Sequence, residues 1–581
     1  MDKERLVQAT RSVWLNMQAE SEPAPQLERA STSLSPLVTQ IIHNRGLGAD
    51  EVQRFLRPDL EFGGDPFLLR GMRAAVDRIL AAQRSGESVA VYGDFDVDGV
   101  TSTAVLVQAL TMLGIKVVGY IPHRQQEGPG INLVALGTLA EQGVKLVVTV
   151  DCGITAVDEV AAAMARGIDV VVTDHHIPAE VLPSAVAVID PRQPDCRYPF
   201  KDLAGVGVAF KLAQALLRTA VRQPRPLERQ LLDLVAIGTI ADMVPLRDEN
   251  RALLWHGMRV LNETPRPGLQ ALIARSGLRM GVITSTEVGY RICPRLNAAG
   301  RLDHASLGYD VLMATSYEDA DAFAQRLEEK NSERQQLTLQ AMAAAHEALA
   351  SQPHAAEDRL LLVPMEPWAA GVMGLLAGKL VEETGKPVVV LQAAGQEVRG
   401  SARGTPAFDM LEALRANAEW LDRFGGHQLA AGFTTSADKL PALSERLRLR
   451  AASTLAAADV QPTLQIDAEV VPKQLTWQLY DQLQALEPCG VGNALPLFLC
   501  RHLRVLDFKR VGNNHLRLLV GRGNSRLTAI IFRRGDLAQY LRRHMTVDLV
   551  FNLEANEWNG YRSLQLRVRD MSFDPEGRDA H

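Results

Sequence analysis

Between residues 88 and 245, short unbroken apolar runs alternate with segments whose apolar residues recur at helical spacing. The runs are SVAVY (88–92), KVVGYI (116–121), KLVVTV (145–150) and IDVVVT (168–173). Their length and β-branched content predict strands buried on both faces. The segments between them, among them VTSTAVLVQALTMLG and an Ala-rich stretch before residue 167, predict the helices of βαβ units. A parallel sheet follows, and in such a sheet ligands sit at the C-terminal ends of the strands.

Residues 317–350 hold no Gly or Pro and are rich in helix formers, which predicts one long helix bridging two domains. A second α/β segment follows over 351–457. From about 458 to 575 the pattern changes to short strand-like runs between Gly and Asn turns: HLRVLDF, HLRLLVG, LTAIIF, VDLVFNL and SLQLRV. That spacing predicts a small antiparallel barrel. At 581 residues the chain is too long for one core, which agrees with this division.

Composition narrows the setting. An apolar content of 47% and a charged content of 22% are those of a globular protein. The opening MDKERLVQATRSVWLNM lacks the apolar core of a signal peptide, and no uncharged apolar run reaches the roughly 18 residues of a membrane span. Cys152, Cys196, Cys293, Cys489 and Cys500 form no CxxC pair, so the expectation is a reducing cytoplasm, with no disulfide frame or zinc finger. The net charge of −6 is unevenly spread: residues 501–570 carry 14 Lys and Arg against 6 Asp and Glu. A segment at +8 on a remainder at −14 suits a polyanion, although a solvated basic face would look the same.

The chemistry lies at the strand ends. SVAVY runs into Gly93-Asp94-Phe95-Asp96-Val97-Asp98-Gly99, KLVVTV into Asp151-Cys152-Gly153, and IDVVVT into Asp174-His175-His176. The helical run LLDLVAIGTI leads into Ala241-Asp242-Met243. Alone, DxDxDG fits a calcium loop and DHH a helix cap. Repeated at four element ends, the acids converge on one sheet edge, where carboxylates need cations to stay ionised together. Oxygen ligands with one or two imidazoles suit Mn²⁺ or Mg²⁺, and their number suits two ions about 4 Å apart.

GDFDVDG, VDCGI, TDHH and GTIADMVPL, in this order, resemble the motifs of the DHH phosphoesterase superfamily. LAGVGVAFKL, PRLNAAGRLD, RGSARGTPAFD, FGGHQLAAG and PCGVGNALPLF resemble its branch of RecJ-type single-strand DNA exonucleases, over about residues 35–570. The resemblance implies a multidomain α/β fold: an N-terminal segment and DHH parallel-sheet domain (1–316), a connecting helix (317–350), a DHHA1 α/β domain (351–457) and an OB-fold-like barrel (458–575). It implies two divalent cations, Mn²⁺ or Mg²⁺, held by Asp96, Asp98, Asp151, His175 and Asp242, with Asp151 bridging. Asp94, Asp174 and His176 would take catalytic parts, Asp94 ligating directly or through water, Asp174 and His176 supporting the ligands and touching phosphate.

For the substrate, Arg295, Asn297 and Arg301 offer donors suited to phosphate oxygens, with an ion-paired loop as the alternative. Ser401, Arg403, Gly425, Gly426 and His427 sit in Gly-rich loops that let a ligand approach backbone. In the last region Arg501, Arg504, Lys509, Arg510 and Arg517 accompany Phe508, His515, Phe532, Trp558 and Tyr561, a mixture suited to single-stranded nucleic acid. Phe532 is expected to fill the barrel core and Trp558 to lie at the surface.

Ala369, Pro129 and Cys152 stand where the family more often has His, an aromatic residue and Asn, which bears on affinity and rate. The expected activity is removal of mononucleotides from the 5′ end of single-stranded DNA, in repair and recombination, by a cytoplasmic monomer with no membrane partner. Single-strand-binding protein and a helicase are partners by resemblance alone. The alternatives are a phosphodiesterase for short oligonucleotides or cyclic dinucleotides, and a catalytically inactive DNA-binding relative.

Overall fold

A computed structural model describes residues 12–17, 34–60, 64–124, 126–128, 130–352, 357–558 and 560–573. Pro129 and the side chains of Ala369 and Trp558 lie outside the described residues, as does most of the opening segment. The chain forms two compact units. One holds residues 53–334 and 486–494; the other holds the N-terminal segment to Val52, residues 335–485 and everything from Leu495. The described course begins with strand β1 (Val13–Asn16) and helices Pro36–Asn44 and Ala49–Leu56.

The first unit is built on a five-stranded, wholly parallel sheet. Its strands are β2 (Ser88–Tyr92), β3 (Val117–Tyr120), β4 (Val144–Val150), β5 (Asp169–Thr173) and β6 (Ala187–Ile189), in the order β3-β2-β4-β5-β6. Val89, Val91, Leu146, Val148 and Val171 are buried in one cluster and Ala90, Tyr92, Val147, Val170 and Val172 in another. Helices therefore cover both faces, as the unbroken apolar runs require. Chain order reverses between β2 and β4, the place where open α/β sheets leave a crevice.

The packing of this unit also explains PCGVGNALP. Arg251 is buried, and its guanidinium donates to the carbonyls of Phe55 (2.8 Å), Leu486 (3.3 Å), Glu487 (2.9 Å) and Pro488 (3.0 Å). Leu246 N donates to Val491 O at 2.7 Å, and the Ser285 hydroxyl to Cys489 O at 2.7 Å. Residues 486–494, late in sequence, are thus part of the unit that carries the parallel sheet.

In the second unit, β7 (Leu361–Met365), β8 (Val388–Ala394), β9 (Glu397–Arg403), β10 (Arg423–His427) and β11 (Ala430–Ser436) form a mixed sheet ordered β10-β11-β9-β8-β7. β12 (Thr463–Ile466) pairs in parallel with β1, and β13 (Ala468–Glu469) leads into the barrel. The barrel strands are β14 (Phe498–Val511), β15 (His515–Arg522), β16 (Ser525–Ile531), β17 (Thr546–Trp558) and β18 (Tyr561–Phe573), closed by pairing of β14 with β17. The expected antiparallel pattern holds except at β16–β18, which is parallel because β18 returns from the β17 hairpin in the direction of β16. One helix, Tyr317–Ala350, begins in the first unit and ends in the second.

Two expectations need correction. PRLNAAGRLD lies in helix Cys293–Leu302, preceded by one π-helical turn at Val288–Ile292, and is not a loop. Phe532 is 46% exposed, outside the barrel core, because β16 ends at Ile531 and the chain turns outward there.

Candidate metal centre

The Asp-rich turn is shaped by the helix it starts. Asp96 is the N-cap of helix Val97–Met112 and accepts from Gly99 N at 3.1 Å; Asp98 lies in the first turn, where the helix dipole favours negative charge. Asp98 is buried, and its carboxylate also accepts from Gly205 N (2.7 Å) and Val206 N (2.9 Å), the start of helix Gly205–Ala220. LAGVGVAF therefore supplies amides to the back of a site acid. Asp151 leaves β4 with φ of 61°, a left-handed conformation that aspartate tolerates better than most residues. Asp242 caps the C-terminus of helix Leu232–Ala241, and Met243 follows with φ of 60°.

These elements bring the acids together in two groups. Ligand atoms of Asp94, Asp96 and Asp151 lie within 4.8 Å of one another, and so do those of Asp98, His175 and Asp242. Asp151 links the groups, its Oδ1 lying 3.1 Å from His175 Nε2, while His175 Nδ1 lies 3.7 Å from Asp242 Oδ2. Asp94 Oδ1, Asp151 Oδ1 and Asp242 Oδ2 are buried with no hydrogen-bond partner. Buried, unpartnered carboxylate oxygens facing one another fit two divalent cations.

The electrostatics say the same. Burial, then the charge of Asp96, pushes Asp94 and Asp242 up to about 7. Burial followed by the neighbouring aspartates drives Asp98 and Asp151 well above the carboxylate range. Burial lowers His175 to about 3, leaving a neutral imidazole able to ligate. For His176 burial opposes the charge, but Nδ1 lies 2.7 Å from Asp174 Oδ1, and that bond raises it to about 9. Asp174 is itself fixed by Ile154 N (2.9 Å), His175 N (2.7 Å) and His176 N (3.1 Å). Cys152 is a buried thiol bonded to Tyr92 O.

In the second unit, Ser401 pairs with Gly432 and Gly432 with Gly425; Arg403 pairs with Ala430 and Ala430 with His427. Alternation puts Ser401, Arg403, Gly425 and His427 on one face over a floor of small residues. A Cβ on Gly374, in the first turn of helix Met373–Thr384, would lie 2.7 Å from Arg403 Nη2 and 3.4 Å from Ser401 Oγ. A helix N-terminus, a guanidinium and a hydroxyl converge there, a setting for an anion. Gly426 has φ of 139°, and a Cβ on it would overlap Ala430 O, so only glycine fits.

Family models described as DHH family, N-terminal domain, as DHHA1 domain and as RecJ OB domain match residues 88–239, 358–453 and 466–570. A single-stranded-DNA-specific exonuclease RecJ of Bacillus subtilis is 38% identical over 545 residues, 93% of this chain and 68% of that protein. Its Escherichia coli counterpart is 34% identical over 564 residues, 93% and 96%. The chain belongs to the RecJ family. RecJ from Thermus thermophilus, crystallised in complex with Mn²⁺, matches with a TM-score of 0.81 at 30% identity, over 97% of this chain and 80% of that one. Its Mg²⁺ complex matches with a TM-score of 0.75.

Within this RecJ fold the expected substrate residues fare differently. Asn297 and Arg301 share a helix face with Gly300, whose Cβ would sit 2.6 Å from Phe95 O, so that face meets the Asp-rich turn. Arg295 lies off that face and is ion-paired with Glu328 at 2.5 Å, the alternative its sequence also allowed. Arg510 Nε donates to Gly535 O at 2.7 Å, a tie within the barrel, whereas Arg517 is exposed opposite Lys509. Two residues escaped sequence reasoning. Arg124, beyond β3, is exposed and lies over the Phe95 ring at 4.8 Å, beside the charges of Asp94 and Asp96. Asp190, at the end of β6, is fully buried, and burial raises it to about 7. The strand-end rule that found the others applies to both: VVGYIPHR and AVID were the signals.

Proposed function

We propose that this chain hydrolyses single-stranded DNA from its 5′ end, releasing mononucleotides, with two divalent cations. The observation that carries the reading is Asp151 between two ligand groups, each with buried carboxylate oxygens that lack hydrogen-bond partners. Asp94, Asp96 and Asp151 would hold one ion; Asp98, Asp151, His175 and Asp242 the other. Such ions would supply Lewis acidity toward the phosphoryl oxygens and activate a water.

The chain's own residues do the rest. Asp174 orients His176 through Nδ1 and keeps it protonated, so that Nε2 can donate to a phosphate oxygen. The amides of Gly205 and Val206 hold the Asp98 carboxylate in place. Arg124 offsets the charge of Asp94 and Asp96. Asn297 and Arg301 would contact backbone phosphates, and Ser401, Arg403 and His427 a terminal phosphate. Arg517 and its neighbours would track the strand across the barrel.

The barrel favours this reading over a phosphodiesterase for short oligonucleotides, which has no need of a surface for a longer strand. Single-strand-binding protein and a helicase are the expected partners of a monomeric, cytoplasmic enzyme. Among the described residues no helix is long and apolar enough to cross a membrane. The test is digestion of 5′- and 3′-labelled single strands and duplexes across a Mn²⁺ and Mg²⁺ titration. Label released first from the 3′ end, or preference for dinucleotides over long strands, would overturn it.

A further inference from the structure

The first unit holds a cavity of about 480 Å³ that the chemistry above does not use. It lies between Asp59 and Leu60, helix Arg225–Gln230, the start of helix Leu232–Ala241 and the end of helix Asp248–Leu261. Asp242 closes the far end of helix Leu232–Ala241, roughly 15 Å from Leu232, so the cavity is distinct from the metal centre. Arg225, Arg229 and Arg259 line it. Among the described residues, no carboxylate pairs with Arg229 or Arg259. Glu228, also in the lining, is already engaged: Arg218 donates to its two oxygens at 2.8 and 3.1 Å, and Gln214 donates at 3.0 Å. His256 Nε2 donates to Pro58 O at 3.0 Å, and burial, then the charges of Arg259 and Arg229, lower its pKa, so the imidazole stays uncharged beside the arginines. Leu60, Leu232 and Val260 supply an apolar wall.

Two guanidiniums without carboxylate partners on one cavity repel each other, and an anion that enters relieves the repulsion. Phosphate suits them, because a guanidinium presents paired N–H donors to its oxygens. The volume is more than a bare phosphate fills and falls within the roughly 300–1,000 Å³ of small-molecule sites. The apolar wall suits a flat base, and the carboxylates of Asp59 and Glu263 suit the base N–H and sugar O–H donors of a nucleotide. We infer that this cavity binds a mononucleotide, its phosphate between Arg229 and Arg259 and its base along Leu60, Leu232 and Val260. The ligand is the deoxymononucleotide released at the metal centre, a choice that rests on the proposed reaction; the cavity's affinity for a nucleotide phosphate does not.

The test is titration of the full chain, with metal chelated, by dTMP, AMP, thymidine and inorganic phosphate, read by calorimetry and by indole emission. The Arg259 guanidinium lies over the Trp255 ring at 4.6 Å, so a phosphate that draws it away should change that emission, and Trp255→Phe should abolish the change. dTMP should bind more tightly than the other three. Arg229→Gln and Arg259→Gln should each weaken dTMP binding by roughly 10- to 150-fold, the range for a hydrogen bond to a charged group, and Arg229→Lys should fall between Arg229→Gln and the parent chain. Arg403→Ala, at the phosphate site proposed in the second unit, should leave the indole response intact. Thymidine binding as tightly as dTMP, or unchanged dTMP binding in both glutamine variants, would overturn the cavity as a phosphate site. Inorganic phosphate or AMP binding as tightly as dTMP would overturn the released mononucleotide as its ligand. A parent chain that answers dTMP in this way but digests no single strand would instead overturn the proposed reaction and leave the cavity standing.

Discussion

Gly205 stands so close to Asp151 that a Cβ on it would overlap Asp151 Oδ1 and lie 2.7 Å from its Cγ. The same glycine donates its N–H to Asp98 at 2.7 Å. One residue without a side chain thus lets two candidate ligands, one in the first turn of a helix and one just past β4, approach each other. Gly205→Ala should push the Asp151 carboxylate aside and lower Mn²⁺ affinity by roughly 10–100-fold, with the fold retained. Isothermal titration with circular dichroism checks this; an unchanged affinity would show that the carboxylate is free to shift.

Asp151→Ala should cost at least as much as any other single ligand change, about 10²–10³-fold in turnover or more, because Asp151 belongs to one ligand group and lies 3.1 Å from His175 of the other. Single-turnover digestion alongside Asp96→Ala and His175→Ala is the measurement. Substantial residual turnover in Asp151→Ala alone would falsify its bridging place.

The metal-free chain should lose stability as pH rises. Asp94 and Asp242 have folded values of about 7, above the unfolded value of about 3.9. Their contribution is fully present below the unfolded value and is lost as pH rises through about 7. Thermal melting of the chelated protein should therefore drop across that window. Addition of Mn²⁺ should flatten the profile, and Asp94→Asn should reduce the drop.

Removal of everything after residue 457 should destabilise the DHH sheet unit as well as delete the barrel. Arg251 would keep the carbonyl of Phe55 and lose those of Leu486, Glu487 and Pro488. A loss of about 3 kcal/mol follows, seen in calorimetry as a fall in Tm of roughly 6–12 °C. Equal melting of the DHH unit in both chains would show that residues 486–494 contribute nothing to it.

Arg517→Ala and Arg510→Ala should separate on a salt series. If exposed Arg517 contacts phosphate, its loss lowers the slope of log affinity against log salt by about 0.7. Arg510 is tied to Gly535 O, so its loss should lower Tm and leave the slope alone.

The strands, the long helix and the positions of the candidate metal-binding acids were legible in the chain. Buried parallel strands must read as continuous apolar runs, and a ligand site at their C-terminal ends must place its acids immediately after them. What sequence reasoning could not reach is whatever depends on residues far apart in the chain. No local pattern says that Gly205 must be bare because Asp151 is beside it, or that Arg251 collects carbonyls from residues 486–488. Nor does one say that Arg295 faces Glu328, or that Phe532 emerges where β16 ends. Periodicity records which face of an element is buried. Which partner occupies that face is decided by packing between elements, and so the strand ends named the chemistry while the tertiary structure decided which groups are held in reach of it.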